Sequence, residues 1–484
     1  MKKLFSIILL LLLQVAAKAQ FLDSLQVKAG TSVTVASKDY LPLWLVANRF
    51  GVISDQQFDF STHFRLSNTN IVQFGTPTIY NKNEDNALHI DYGIDVYNNN
   101  HLKKTIIQEG FVRVKYRKAT FSAGRFKQVI GEMDHDLSSG SLGLSGNALP
   151  VPKLNLAIDY FNIPFTNGWV QAKGMISHGW MGNDQFLKNA YLHEKNVYLR
   201  IGKNKLKLYG GLQHYAVWGG ERDNFFALDR SWAGFWNVFL VKEANDGSVV
   251  TDILPNRAGD HRGVIEAGAE WENDDYRINL NNQTPFDMGQ NIDTRNIDRL
   301  LSLSFYNKKP EAKLKKVVVE FIHTKQMNDF YAEHVRESYY NNGIYRTGWS
   351  YNERILGTPL FIDRQRGSKY FDDVEPYDWD GPTSEIQPTT NVISNRVVGG
   401  HVGVDYEVQK GLTSRTLLTY TNNFGNYNAR QFRDRSYSQW YSMQQFSWIV
   451  PQTQLSLTGT IAYDFGSLSN NFGSMIGLQW QLRN

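Results

Sequence analysis

Apolar and polar residues alternate with a period of two along much of this 484-residue chain. Leu154, Leu156, Ile158 and Tyr160 fall on one face, while Asn155, Ala157 and Asp159 fall on the other. Successive side chains of an extended strand point to opposite sides, so this pattern predicts a strand with one apolar and one polar face. The same alternation runs through residues 88–96, 206–212, 276–280, 455–463 and 476–482. Pro164 and the Asn167-Gly168 pair punctuate the turn into a second segment over 169–177, and tight polar turns are predicted at 202–204 and 273–274. This hairpin, with the proline-stiffened polar loop 139–152 before it, is the unit expected to repeat around a closed barrel. There are about 17 such segments, and a bacterial barrel closes with an even number of strands, so sixteen or eighteen are expected.

One stretch breaks the pattern. Asp39 is a candidate N-cap, Pro42 suits a first turn and Gly51 can close a C-terminus. Leu41, Trp44, Leu45 and Arg49 follow helical spacing between them. A helix over 39–50 is predicted, too short to cross a bilayer. Residues 21–35 read as mixed, with only 31–35 strand-like. Lys2-Lys3, the apolar run 4–13 and Ala17-Lys18-Ala19 predict a secretory signal over 1–19 and a mature start at Gln20.

Composition narrows the fold class. The chain holds 25 Tyr, 28 Phe and 12 Trp, yet its mean hydropathy is negative. A transmembrane barrel reconciles the two through a lipid-facing band, aromatic girdles and a polar interior. A soluble sandwich or propeller is the alternative that composition leaves. At roughly 10 residues per strand, eighteen strands use about 180 residues, so most of the chain is left for connections. A barrel that wide encloses an aqueous channel unless something fills it, and the connections can supply the filling. The absence of cysteine excludes disulfides and thiolate metal sites. Of the 51 basic residues, three leave with the signal, so 48 face 47 acidic ones. That balance offers no basic stripe for nucleic acid.

Two long connections hold the candidate chemistry. Residues 217–263 contain Trp218-Gly219-Gly220 and end in Asn256-Arg-Ala-Gly-Asp-His261-Arg-Gly263. His261 can donate to a sugar hydroxyl or to a loop carbonyl, and a structural histidine fixing the loop is the preferred reading. Residues 326–394 contain Ser338 to Tyr351, dense in Tyr, Asn, Gly and Trp. Aromatic faces stack on the C–H face of a sugar, while amides and guanidinium groups bind its hydroxyls. The same composition also suits packing inside a lumen. Glu132, Asp134, His135 and Asp136 form the one compact acid–histidine cluster, with Ser138, Ser139 and Ser141 beside it. Carboxylate pairs can cleave glycosides and Asp with His can bind metal, but no spacing here fixes either geometry. A polar barrel loop is the reading taken.

Several blocks together resemble the Wzi-type capsule assembly outer-membrane proteins. They are Ser141-Leu142-Gly143, Asn147-Ala148-Leu149-Pro150-Val151-Pro152 and Gly174, then the Trp218-Gly219-Gly220 and His261 signatures. Downstream come residues 282–287, Asn296-Ile297-Asp298, 338–351 and 355–360. The blocks recur in order over about two-thirds of the chain; where the family often carries Asn-His, this chain has Asn341-Asn342. The resemblance implies an all-β fold, a large antiparallel transmembrane β-barrel of eighteen strands over residues 57–484. It implies a small helical plug over 20–56 at the periplasmic end, and long occluding loops at 217–263 and 326–394. The implied function is a lectin-like, non-enzymatic one: binding capsular or other surface polysaccharide at the outer membrane. The residues it puts forward are Tyr339, Tyr340, Tyr345, Arg346, Trp349 and Tyr351, with Trp218 and His261 as neighbours. A monomer in contact with outer-membrane lipid, with no metal, cofactor or nucleic acid, is expected. A porin or oligosaccharide channel and a barrel enzyme are the alternatives.

Overall fold

The structure, a computed structural model, describes residues 25–68, 88–223, 228–244, 257–287, 292–293, 295–330, 336–378 and 390–483. The predicted signal sequence lies outside them. The first strands are β1 (Gln26–Ala36), β2 (Phe58–Ser67), β3 (Leu88–Asn99), β4 (Lys104–Tyr116), β5 (Ala119–Arg125) and β6 (Lys153–Asn162). Next come β7 (Val170–Trp180), β8 (Lys188–Ile201), β9 (Leu206–Glu221), β10 (Asp260–Glu272) and β11 (Tyr276–Phe286). After β12 (Arg299–Asn307) and β13 (Leu314–His323), four short strands lie within one connection. These are β14 (Ser350–Tyr351), β15 (Arg354–Ile355), β16 (Ile362–Asp363) and β17 (Val392–Ser394). The wall resumes with β18 (Val397–Gln409), β19 (Leu412–Asn423), β20 (Tyr437–Ile449), β21 (Leu455–Gly466) and β22 (Asn471–Arg483).

Every neighbouring pair of wall strands is antiparallel, and the 18-stranded sheet closes where β1 meets β22, with Val33 opposite Ile476. The predicted alternation is the reason for the closure. On β6, Leu154, Leu156 and Ile158 are 43–48% exposed on the outer face, while Lys153 and Asn155 are buried inside. Rows of exposed aliphatics circle the wall on other strands, among them Leu206, Leu208 and Ile461. Left in water, that much apolar surface would cost about 25 cal/mol per Å². Hydrocarbon is the solvent that such a surface fits, so the protein is an outer-membrane barrel.

The connections differ at the two ends. Those at 117–118, 202–205, 273–275, 410–411 and 450–454 are short, whereas 37–57, 126–152, 222–259 and 324–396 are long and all leave from the opposite end. Outer-membrane barrels keep short turns at the periplasm and long loops outside.

Two expectations about the N-terminal segment need correction. Residues 26–36, assigned to a plug before the barrel, form β1 and pair along their length with both β2 and β22. The wall therefore begins inside the segment 20–56. The 39–50 helix shrinks to α1 (Leu43–Val46) and sits at the long-loop end, not the periplasmic one. Its apolar spacing reflects burial on all sides: all four helical residues are buried. Ala47 is extended, and Asn48, Phe50 and Gly51 take positive φ, which ends the helix after one turn.

Because the chain has no cysteine, single introduced thiols report this orientation directly. Leu102 lies in the turn 100–103 at the long-loop end, and Phe165 lies in the 163–169 turn at the other; both are exposed. A membrane-impermeant maleimide should label Leu102→Cys on intact cells and Phe165→Cys only after permeabilisation. The reverse pattern would invert the topology.

Candidate functional site

The lumen is filled by three connections. Residues 126–152, which include the polar loop 139–152 expected to repeat around the barrel, instead form the centre of the filling, with residues 137–151 almost entirely buried. The Ser139 amide and hydroxyl both donate to one Glu320 oxygen on β13, at 2.8 and 2.5 Å. The Leu142 amide donates to Gln283 on β11 at 3.0 Å, and the His401 ring on β18 donates to the Leu137 carbonyl at 2.6 Å. A Cβ at Gly403 would lie 2.6 Å from that carbonyl oxygen, so glycine is what lets the segment touch the wall.

The acid–histidine cluster belongs to this anchoring. Lys173 pairs with Glu132, and Lys316 reaches Asp134 at 2.8 Å and Asp136 at 3.1 Å. Burial pushes the Glu132 and Asp134 carboxyls up, but the lysines outweigh it and both end below the usual carboxylate range. A general acid needs the opposite shift. Asp134 also accepts from the Asp136 and Leu137 amides at 3.0 and 2.7 Å. His135 sits against the Gly131 carbonyl at 3.1 Å.

The aromatic segment 338–351 lies on this central piece, inside the barrel. The Trp349 indole, fully buried, donates to the Gly143 carbonyl at 2.7 Å. The Tyr340 hydroxyl donates to the Leu142 carbonyl at 2.6 Å, and that of Tyr339 to Asp298 at 2.8 Å. Tyr345 is buried, and Tyr351 is buried with its hydroxyl accepting from Arg125 at 3.0 Å. Arg346 is half-buried over the Phe186 ring, 4.9 Å from its centre. Five of the six residues put forward for a surface site are thus packing. The two proposed neighbours do not join them. Trp218 and His261 lie on the outer face of β9 and β10, shown by the parity of exposed Leu208 and Leu212 on β9 and Trp271 on β10. Trp218 is covered there by a helix, α2 (Trp232–Phe239), while His261 stacks on His214 and sits against the Ala258 carbonyl at 2.9 Å.

What the long-loop end does offer is a pocket of about 590 Å³ beside the turn 100–103. Its lining comes from five separate pieces: parts of 43–56 that include Leu43, Asp55 and Gln56; Asn99 and Asn100 with 104–107; Arg125; Asn147 with Leu149; and parts of the stretch 352–366. Asn352 and Glu353 form the tip of the β14–β15 hairpin, both at positive φ as a two-residue turn requires. Three arginines are held in place around it. Arg125 donates to the Ile107 carbonyl at 2.8 Å, Arg354 to Ile53 at 2.9 Å and Arg366 to Leu41 at 2.9 Å. Arg366 also pairs with Asp464 at 3.1 Å, and its guanidinium is held well above its ordinary value against the pull of burial by Tyr370 and the acids around it. Exposed Gln56, Lys104 and Glu353 complete a mixed-charge, amide-rich surface. Such a lining can hydrogen-bond a hydroxylated ligand from several sides. No local motif announces it; the only hint in the sequence is Asn352-Glu353 between two strand-prone dipeptides.

No family model and no curated protein sequence matches the chain. Among solved structures, it is similar to Wzi of Escherichia coli, described as an outer-membrane protein involved in group 1 capsule assembly and a carbohydrate-binding β-barrel. That match has 13% identity and a TM-score of 0.55 over 94% of this chain and 85% of that one. OpdL of Pseudomonas aeruginosa matches at 9% identity and a TM-score of 0.46, over 95% of this chain and 98% of that one. Likeness at 13% identity establishes a shared barrel fold and nothing finer; the OpdL match is too distant to carry an argument.

A buried carboxyl lies in the pocket wall. Asp363 caps α3 (Arg364–Gly367), accepting from the Arg366 amide at 2.8 Å, and burial raises its carboxyl to about 6. A raised folded value means that its stabilising contribution is full below the unfolded value of 3.8 and is lost as pH climbs through about 6. The urea midpoint should therefore fall as pH rises through about 6, and Asp363→Asn, which keeps the cap, should flatten that fall. An unchanged pH profile in the variant would remove Asp363 as its source.

Proposed function

We propose that this chain holds surface polysaccharide at the outer face of the outer membrane, binding it in the pocket beside the turn 100–103. The observation that carries the reading is the combination of a lumen filled by the chain's own buried segments with a fixed polar pocket left at the long-loop end. A filled lumen suits retention better than passage, and a pocket braced by arginines bonded to backbone carbonyls is organised before any ligand arrives. The likeness to a carbohydrate-binding barrel supports the same reading.

The pocket suits a few sugar units of a longer chain. Its hydrogen bonds replace bonds to water, so each contributes about 1 kcal/mol, roughly fivefold in affinity. Strength then comes from repetition along a polymer, where later contacts are intramolecular. The reading is a binding one, with no bond made or broken, so bound polymer keeps its length.

The test combines Gln56→Ala, Lys104→Ala and Glu353→Gly, the glycine preserving the positive φ. With assembly verified, the variant should shed polysaccharide that the parent retains, while isolated short oligosaccharides bind weakly to both. Retention equal to the parent would place the site elsewhere. Shortening of polymer incubated with the parent would replace binding by catalysis.

A further inference from the structure

Helix α2 raises a question that polysaccharide binding does not answer. It is apolar nearly all round, with Asn237 its one polar side chain, and it leaves the long-loop end to lie on the outside of the wall. Ser231 caps its start, accepting from the Gly234 amide at 3.1 Å. Val238 and Phe235 pack toward Trp218 and Ala216 of β9. Beneath it the wall departs from its own rule. Where the outward positions of β8 continue as Val197, Leu199 and Ile201, the two above them are His193 and Lys195. His178 on β7 and His214 on β9 are outward too, by the parity of Trp180 and Leu212.

These polar side chains sit level with the lipid band. His193 lies opposite His178, which lies opposite Leu154, the exposed aliphatic at the top of the β6 row. Bare histidine and lysine on a lipid-facing wall cost stability in a depth-dependent way. The helix covers His178, His193 and Lys195. Phe235 and Phe239 lie 5.7 and 5.4 Å from the His193 ring, and the Lys195 ammonium donates to the Phe239 carbonyl at the helix C-terminus. A helix bonds most of its own backbone, so it can replace missing aliphatic surface without exposing polar groups to hydrocarbon.

We infer that α2 is the barrel's skin at this sector and that its outer face is seated in outer-leaflet lipid. Trp232, Trp236 and Leu240 form that face, 72%, 43% and 53% exposed. Tryptophan at the boundary between headgroup and acyl chain is where an indole gains most, since its ring is apolar and its N–H can still reach water. The face is continuous with the wall's lipid-facing rows, so no further partner is needed to explain its exposure.

The absence of cysteine again makes the test clean. Trp232→Cys carries a nitroxide label in full-length protein reconstituted into phosphatidylethanolamine–phosphatidylglycerol vesicles. Collision with oxygen and with a water-soluble nickel chelate is compared with Leu199→Cys in the lipid band and Leu102→Cys in a loop. The oxygen-to-nickel ratio at 232 should rise above that at 102 toward the value at 199. A ratio equal to that at 102 means water and overturns the inference. Loss of both collisions together means a protein covers the face and overturns it as well. Should the labelled variant fail to fold, brominated lipid quenches the native tryptophan emission instead. Trp232→Phe with Trp236→Phe must then lose part of the quenchable fraction, and an unchanged fraction contradicts the seating.

Discussion

The structure depends on buried carboxylates that accept from the amides of the chain filling the barrel. Each filling segment has at least one. Asp464 on β21 accepts from the Leu43 amide at 2.9 Å, which fixes the first segment. Glu320 and Glu266 hold the second, through Ser139 and through the Glu132 amide at 2.8 Å. Asp298, beside β12, holds the third through the Met327 amide at 2.7 Å. Irregular backbone inside a barrel has no ladder to satisfy its N–H groups, and each one left bare would cost free energy. A carboxylate buried alone would cost more. Bringing the two together resolves both problems and leaves little freedom in where the segments lie.

That arrangement divides the aromatic residues among three environments. Some face lipid on the wall, some pack in the dry interior, and some lie beneath α2. Trp349, Trp218 and Trp232 show the division: one bonded to the central segment, one sandwiched between wall and helix, one on the outside. Composition records their number and not their destination. The pocket beside the turn 100–103 is what the filling leaves open, and its arginines are positioned by the same segments that close the lumen.

The wall was legible in the sequence because strand periodicity is local: a two-residue alternation such as 154–160 states its own faces. The start of the wall was not, since residues 26–30 alternate weakly and are held by partners on β22, at the far end of the chain. Helical spacing over 41–49 was real but came from burial on every side of a single turn. The Tyr-rich segment was read as either sugar platform or packing; the bonds of Tyr339, Tyr340 and Trp349 place those side chains in the packing. Trp218 and His261 were put beside it on the resemblance alone, but the alternation on β9 and β10 sends them to the opposite side of the wall. The pocket was invisible because five pieces far apart in sequence build it.

The central claim is that the chain's own segments close its lumen, and conductance tests it most directly. Purified full-length protein in a planar bilayer should insert without stable unitary current steps, because the segments at 37–57, 126–152 and 324–396 are tied to buried carboxylates of the barrel rather than draped over the mouth. Stable, large unitary conductance from the intact protein would contradict the account.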